Sequence, residues 1–246
     1  MQNKECETCG GCFFRELSEE EYRQHKENDF KKTISLIKNA SPHMDTPIFI
    51  KDGSRRRADM AFQYAKKQLI LGFNQAETHH IVDIKMCPML CAELNQILVS
   101  LHHFLEEFCT IPVTIKNKKK IEQCYIKTGD IRVLLADNGI DITLNISQEP
   151  CLEHRLLVAE FVNENPLICR LSWGVNNGTP ETIVEKYAPQ LNIAGYMINI
   201  PQDVFLQASK EAETAMINKV LEYMGNTHGK IADLFCGLGT FTRSEE

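Results

Sequence analysis

No uninterrupted apolar stretch in this sequence approaches the ~18 residues that a membrane-crossing helix needs, which argues against a helical span. The chain also opens without a signal peptide, so its thiols are expected to meet a reducing cytoplasm, where disulfides do not persist. A positive excess is missing too: 27 Lys and Arg stand against 33 Asp and Glu, a net charge of -6. That balance argues against a uniformly basic nucleic-acid binder but leaves room for a local basic patch. There is no internal repeat and no low-complexity linker. What remains is a globular chain of 246 residues, 43% hydrophobic, enough for one large or two modest domains.

The periodicity predicts an α+β body with mixed strands. Ser18-Glu-Glu-Glu21 reads as a capping box that opens a polar helix running to about Asn39, where Ala-Ser-Pro stops it. From Thr46 to Ile84 the pattern turns to β, with strands expected at 47–51, 58–64, 68–73 and 80–84. After Cys87, the residues Leu90, Leu94, Ile97, Leu98, Leu101, Leu105 and Phe108 share one helical face. Asp137-Asn-Gly139 signals a hairpin between strands 131–136 and 140–146. A helix is expected at 152–162, a strand at 167–173 and a helix at 209–224 capped by Ser209. The chain thus divides into a cysteine-rich segment and helix (1–45), a central α+β body (46–195) and the start of a Rossmann-like unit (196–246), with a boundary near Gly195.

Chemistry concentrates at the two ends. Cys6-Glu-Thr-Cys9-Gly-Gly-Cys12 places three thiols within seven residues, and the glycines let them converge. Thiolates select zinc or an iron-sulfur cluster over hard cations. The best fourth ligand is Cys87, held at a helix mouth if Pro88 starts the following helix. Cys91, one turn later, reads as a small buried residue, as do Cys109, Cys124, Cys151 and Cys169. Near the other end, Lys230-Ile-Ala-Asp-Leu-Phe-Cys-Gly-Leu-Gly239 reads as a buried strand entering a glycine turn, where a Rossmann-like domain receives its cofactor. It has two glycines where the dinucleotide fingerprint has three, and any βα turn can carry two.

Two basic groups stand out: Arg55-Arg56-Arg57 before a strand and Lys116-Asn-Lys-Lys-Lys120 between two β-like segments. Either can neutralise phosphates. The lysines also read as a solvated loop. On a strand, Arg55 and Arg57 share one side, which suits a backbone-contacting surface or a salt-bridged edge.

Taken in order, Cys9-Gly-Gly-Cys12, Arg55-Arg-Arg-Ala58, Gly72-Phe73, Ile81-Val-Asp-Ile-x-x-Cys-Pro88, Phe205-Leu-Gln207 and Asp233-Leu-Phe-Cys-Gly-x-Gly239 span nearly the whole chain. In this the chain resembles the iron-sulfur-containing RNA 5-methyluridine methyltransferases, which use S-adenosyl-L-methionine to methylate C5 of uridine in 23S rRNA, with tRNA-specific relatives. The resemblance implies a 4Fe-4S cluster held by Cys6, Cys9, Cys12 and Cys87, although relatives have a longer gap between the first two cysteines. It implies cofactor contacts from Gln207 and Phe235, with Gly237 and Gly239 shaping the turn, and an RNA partner, 23S rRNA, for a cytoplasmic monomer with no membrane association. Thr240 stands where relatives can carry an asparagine.

In such enzymes a cysteine thiolate adds to C6 of uracil, C5 takes the methyl group and a base removes the C5 proton. The nucleophile and the base lie downstream of the glycine turn in the family. A truncated, inactive chain is therefore expected, with no catalytic residue nominated and with a folded region to about residue 195. Ile231, Leu234, Phe235, Leu238 and Phe241 are then expected to be exposed or to pack opportunistically on the body. The alternative reading is a stand-alone iron-sulfur or zinc RNA-binding module without catalysis.

Overall fold

The structure, a computed structural model, describes residues 8–38, 43–117, 120–193, 195–202, 204–225 and 230–242. Cys6, the Asn39-Ala-Ser-Pro42 stop and the terminal Arg243-Ser-Glu-Glu246 lie outside them.

The body is a seven-stranded sheet in the order β3-β2-β1-β6-β7-β8-β9. Its strands are β1 (Arg57–Ala65), β2 (Gln68–Asn74), β3 (Ile81–Asp83), β6 (Thr128–Leu135), β7 (Ile140–Ile146), β8 (Ile168–Val175) and β9 (Glu181–Glu185). Every neighbouring pair is antiparallel except β7 and β8. A parallel pair needs a crossover, and helix α3 (Leu152–Glu164) supplies it.

Alternation decides which face is covered. Ala58, Met60 and Phe62 of β1 are buried, as are Ile140, Ile142, Leu144 and Ile146 of β7. Helix α2 (Ala92–Phe108) lays Leu94, Ile97, Leu98, Leu101, Leu105 and Phe108 against this layer, so the apolar stripe read from the sequence is the buried one. Phe104 stacks on Phe161 of α3 at 4.3 Å, and Phe108 meets His154 and Trp173 edge-on. The β7–β8 pair carries a buried bidentate ion pair, with Arg170 Nε and Nη2 donating to Asp141 at 2.8 and 2.7 Å.

The capping box forms as read: the Glu21 N–H donates to Ser18 Oγ, and the Ser18 N–H donates to the Glu21 carboxylate. It opens α1 (Glu19–Ser35), which has no buried residue. The expected strands over 58–64, 68–73 and 80–84 are β1, β2 and β3. The stretch 47–51 is no strand: it has no ladder partner among the described residues, Ile48 is 56% exposed, and Phe49 packs instead against Tyr22 and Arg23. Of the lysine-rich stretch, Lys116 and Lys120 lie in a separate antiparallel pair, β4 (Pro112–Asn117) with β5 (Lys120–Tyr125), and residues 118 and 119 lie outside the described residues.

The Asp137-Asn-Gly139 hairpin forms, but for a different reason than a left-handed glycine. A Cβ on Gly139 would stand 2.9 Å from the Cys169 side chain, so this glycine lets the turn press against β8. The same turn fastens a second hairpin, β10 (Gln190–Ile193) with β11 (Tyr196–Asn199), whose turn contains Gly195. Asp137 Oδ2 accepts from the Asn192 N–H at 2.7 Å, and the Gln190 N–H donates to Asn138 Oδ1 at 2.8 Å. Leu134, Ala136, Leu191, Ile193, Ile200 and Leu206 form a second small core there. Residues after Gly195 are therefore packed on the body through Leu206, contrary to a fold that ends near 195.

Asp137 also accepts from Lys210 Nζ at 2.6 Å. Burial works to raise its pKa, but the Asn192 N–H and the Lys210 ammonium outweigh it and hold the carboxyl below its ordinary value. A depressed folded-state pKa contributes stability above the unfolded value of about 3.9, and that contribution is lost as pH falls through the folded pKa. Wild type is thus expected to exceed Asp137→Asn by a constant margin at neutral pH, and the margin is expected to shrink below about pH 4. Urea unfolding of both proteins across that range checks this; a margin that widens toward acid contradicts it.

Candidate functional site: a seam at the arginine triplet

Two backbone segments that carry sequence-marked residues meet at Arg55 and Arg56. On one side the Arg55 N–H donates to Met89 O at 3.0 Å, and the Cys91 N–H donates to Arg55 O at 2.8 Å. On the other, the Arg56 N–H donates to Ala208 O at 2.8 Å, and Arg55 bridges Ser209. The loop bearing Cys87 and the segment bearing Gln207 thus hang from adjacent residues.

The side chains follow strand alternation but not as a phosphate surface. Arg55 is exposed, whereas Arg56 points inward and is 5% exposed. Arg56 Nη2 donates to Glu213 Oε2 at 2.8 Å, and Arg56 Nε donates to Gln207 O at 3.1 Å. Glu213 sits in the first turn of α4 (Lys210–Met224), whose N-cap Ser209 accepts from the Ala212 N–H. Arg57 Nη1 donates to Leu206 O at 3.1 Å, and its guanidinium lies 5.2 Å from the Phe205 ring centre. Two of the three arginines therefore hold the Phe205-Leu-Gln207 segment against the sheet. Glu213 gives no isolated signal in the sequence, since its place in a helical first turn is an ordinary one for a carboxylate.

The glycine turn lies beside this seam. Leu238, between Gly237 and Gly239, packs on the small core that contains Leu206, the residue before Gln207. Residues 230–233 are not a strand, because no parallel neighbour stands among the described residues to pair with them. Ile231, Leu234 and Phe235 are exposed, Phe235 completely, and Phe235, Gly237 and Gly239 are left-handed, with φ of 62°, 58° and 74°. A Cβ on Gly237 would meet nothing within 4 Å, so the turn is open on that side.

The cysteines are placed by backbone bonds. Cys9 bridges Gln75 at the end of β2, and the Gly10 N–H donates to Asn74 O at 3.0 Å. A Cβ on Gly10 would come within 2.8 Å of that carbonyl, so this glycine permits the close approach. Pro88 does not start a helix: α2 begins at Ala92 with Cys91 as N-cap, and Cys87 to Leu90 form a tight turn. Asn95 holds that turn, accepting from the Cys87 N–H at 2.8 Å and donating to the carbonyls of Cys87 and Leu90, both at 3.0 Å. An amide one turn into the helix was the only available sign of this clamp, and it is a weak one. Cys9, Cys12 and Cys87 are half-buried. Among the described residues no three His, Cys, Asp or Glu side chains form a group that could hold a metal ion; Cys6 is outside them.

Four of the described cysteines, Cys91, Cys109, Cys151 and Cys169, are not set up as attacking thiolates. Burial pushes the Cys109 and Cys169 thiols up to about 12 and raises Cys91. Cys151 Sγ lies 3.0 Å from His154 Nδ1, yet burial raises the thiol and lowers the imidazole, leaving a neutral contact at the N-terminus of α3. No helix among the described residues is long and apolar enough to cross a membrane.

No family model matches the chain. It is 30% identical over 238 residues to an uncharacterized RNA methyltransferase of Zymomonas mobilis, covering 97% of this chain and 56% of that protein. It is 26% identical over 242 residues to the 23S rRNA (uracil(1939)-C(5))-methyltransferase RlmD of Vibrio parahaemolyticus, covering 95% of this chain and 50% of that one. The fold is similar to the crystal structure of Pyrococcus abyssi tRNA (uracil-54, C5)-methyltransferase in complex with S-adenosyl-L-homocysteine, with a TM-score of 0.64 at 19% identity, over 95% of this chain and 55% of that one. The chain spans about half the length of these relatives.

Removing the Glu213 charge leaves a buried guanidinium without its bonded carboxylate, with only the Gln207 carbonyl still accepting from it. Glu213→Gln is expected to cost about 3 kcal/mol, and an apolar Arg56→Met/Glu213→Leu pair is expected to recover most of it. Urea midpoints of the three proteins test this; an equal loss in the single and double variants contradicts it.

Proposed function

On the premise of that similarity to RNA methyltransferases, we propose that this chain is part of an S-adenosyl-L-methionine-dependent RNA uracil-C5 methyltransferase, with 23S rRNA as its substrate. The observation that supports it best is the seam. The Phe205-Leu-Gln207 segment is pinned to the body sheet, and Leu238 of the glycine turn packs on the small core that contains Leu206, which supports a reading in which the two separate stretches serve one cofactor site.

The cofactor residues fit such a role in their chemistry. Gln207 is held through its backbone by Arg56, which leaves its side-chain amide to donate and accept. Gly237 is open, and left-handed Gly237 and Gly239 let the main chain approach a ligand. Phe235 offers an exposed ring for packing. Bound there, the cofactor would supply the electrophilic methyl group. The described residues provide binding and orientation, and the attacking thiol and the base come from outside them.

For the cluster, the donor set fits in kind. Cys9, Cys12 and Cys87 are half-buried thiols, Cys9 and Cys87 on segments fixed by backbone bonds; the three do not by themselves form a metal-holding group, and Cys6 would have to complete the set. A 4Fe-4S cluster held there would tie the cysteine-rich segment to the Cys87 turn and, through Arg55, to the seam. Zinc is the competing occupant, since the same thiolates select it.

Two measurements test these assignments. Calorimetric titration with S-adenosyl-L-homocysteine is expected to show binding that weakens about tenfold in Gln207→Ala, the worth of one good hydrogen bond; a folded protein that takes up none contradicts the cofactor site. Anaerobic purification is expected to yield about four irons with matching sulfide and a broad absorption near ~400 nm, both lost in Cys87→Ser. One zinc per chain, or no metal, sinks the cluster.

A further inference from the structure

The turn between β1 and β2 is built from the wrong residues for its shape. Ala65 pairs with Gln68, so the loop is only Lys66-Lys67, and both residues are left-handed, with φ of 52° and 63°. A two-residue turn with both centres left-handed favours Asn-Gly, because a Cβ crowds the backbone there. Two lysines in it sacrifice stability, and strain that persists in a folded protein invites a functional reading.

Their surroundings suggest which. Both side chains are exposed, and neither makes an ion pair among the described residues. The residue just before β6 adds another ammonium: the Tyr64 N–H donates to Lys127 O at 2.7 Å, which sets Lys127 beside the end of β1. Lys127 Nζ lies 5.5 Å from the centre of the Tyr125 ring, which is 44% exposed. Three lysines and an accessible aromatic ring thus share one end of the sheet in a chain whose net charge is -6. The carboxylates of Asp59 and Asp130 lie further in, where Arg132 holds Asp59 at 2.6 Å. They line the groove of about 460 Å³ on the open sheet face, a poor place for phosphate.

We propose that Lys66, Lys67 and Lys127 form a contact for the sugar-phosphate backbone of a single-stranded RNA segment, with Tyr125 as a stacking platform for one of its bases. This rests on the reading of the chain as part of an RNA-modifying protein, and it adds a surface at the end of the sheet that the arginine triplet does not provide. Lysines at a rigid turn act as fixed point charges, and a tyrosine face accepts any base, so the surface anchors RNA without selecting sequence.

The turn makes the test clean, because Lys66→Asn/Lys67→Gly removes both charges while relieving the strain. This variant is expected to melt about 2–4 °C higher than wild type. Its affinity for a fluorescent, unstructured, uridine-rich RNA, followed by anisotropy between about 50 and 200 mM salt, is expected to fall roughly tenfold, with the slope of log K against log salt shallower by about 1.4. Tyr125→Leu is expected to weaken binding at an unchanged slope, since stacking releases no counterions. Wild-type affinity and slope in the Asn-Gly variant overturn the proposal. Equal binding of polyglutamate also overturns it, pointing to an acidic protein partner. Failure of the wild-type protein to bind the RNA at low salt defeats instead the RNA reading on which the proposal rests.

Discussion

A buried guanidinium that must be neutralised governs how this chain is put together. Arg56 lies at the entrance to β1 with its side chain on the core side, and desolvating that charge is tolerable only with a partner. Glu213 and the Gln207 carbonyl meet the need, and both come from chain about 150 residues further on. Satisfying one side chain therefore draws the start of α4 and the segment before it onto the body sheet. Arg57 repeats the theme more weakly with Leu206 O and Phe205.

Because Arg55 lies next to that buried charge, the same point also fixes the Cys87 turn. Its N–H and C=O are both used, one by Met89 and one by Cys91, and Asn95 closes the turn from inside α2. The Cys87 turn and the Gln207 segment are consequently held by adjacent strand residues, not scattered on independent loops. Sites built on strands and clamped by secondary hydrogen bonds hold their geometry better than loop sites do.

Much of the body was legible in the sequence because its signals are local. The Ser18-to-Glu21 capping box, the six-residue apolar stripe Leu94 to Phe108 of α2, the alternation in β1 and the turn signal between β6 and β7 each depend on near neighbours along the chain, and each appears where its pattern predicts. The failures share a cause. The stretch 47–51 and residues 230–233 both look like strands, and Pro88 looks like a helix start, but a strand requires a partner and a helix start requires competing turns to be absent. Asn95 captures the Cys87 turn and delays α2 to Ala92. Similarly, β9 and the β10–β11 hairpin were not foreseen. Their short segments carry little periodicity, and Asp137 and Asn138, which read as turn residues, are what dock that hairpin.

The sequence by itself determined the secondary elements with strong periodicity, the acidic balance and the thiols and glycines available for a site, because these properties belong to residues and to their near neighbours. Tertiary structure alone decided that Arg56 is a structural counter-ion and not a phosphate contact, since only folding places Glu213 beside it. It likewise decided that Leu206, beside Gln207, and Leu238 of the glycine turn meet at one small core while residues 230–233 stay unpaired. The physical reason is the same throughout: desolvation of a charge and pairing of a backbone group depend on which distant segments arrive beside them, and no spacing along the chain records that arrival.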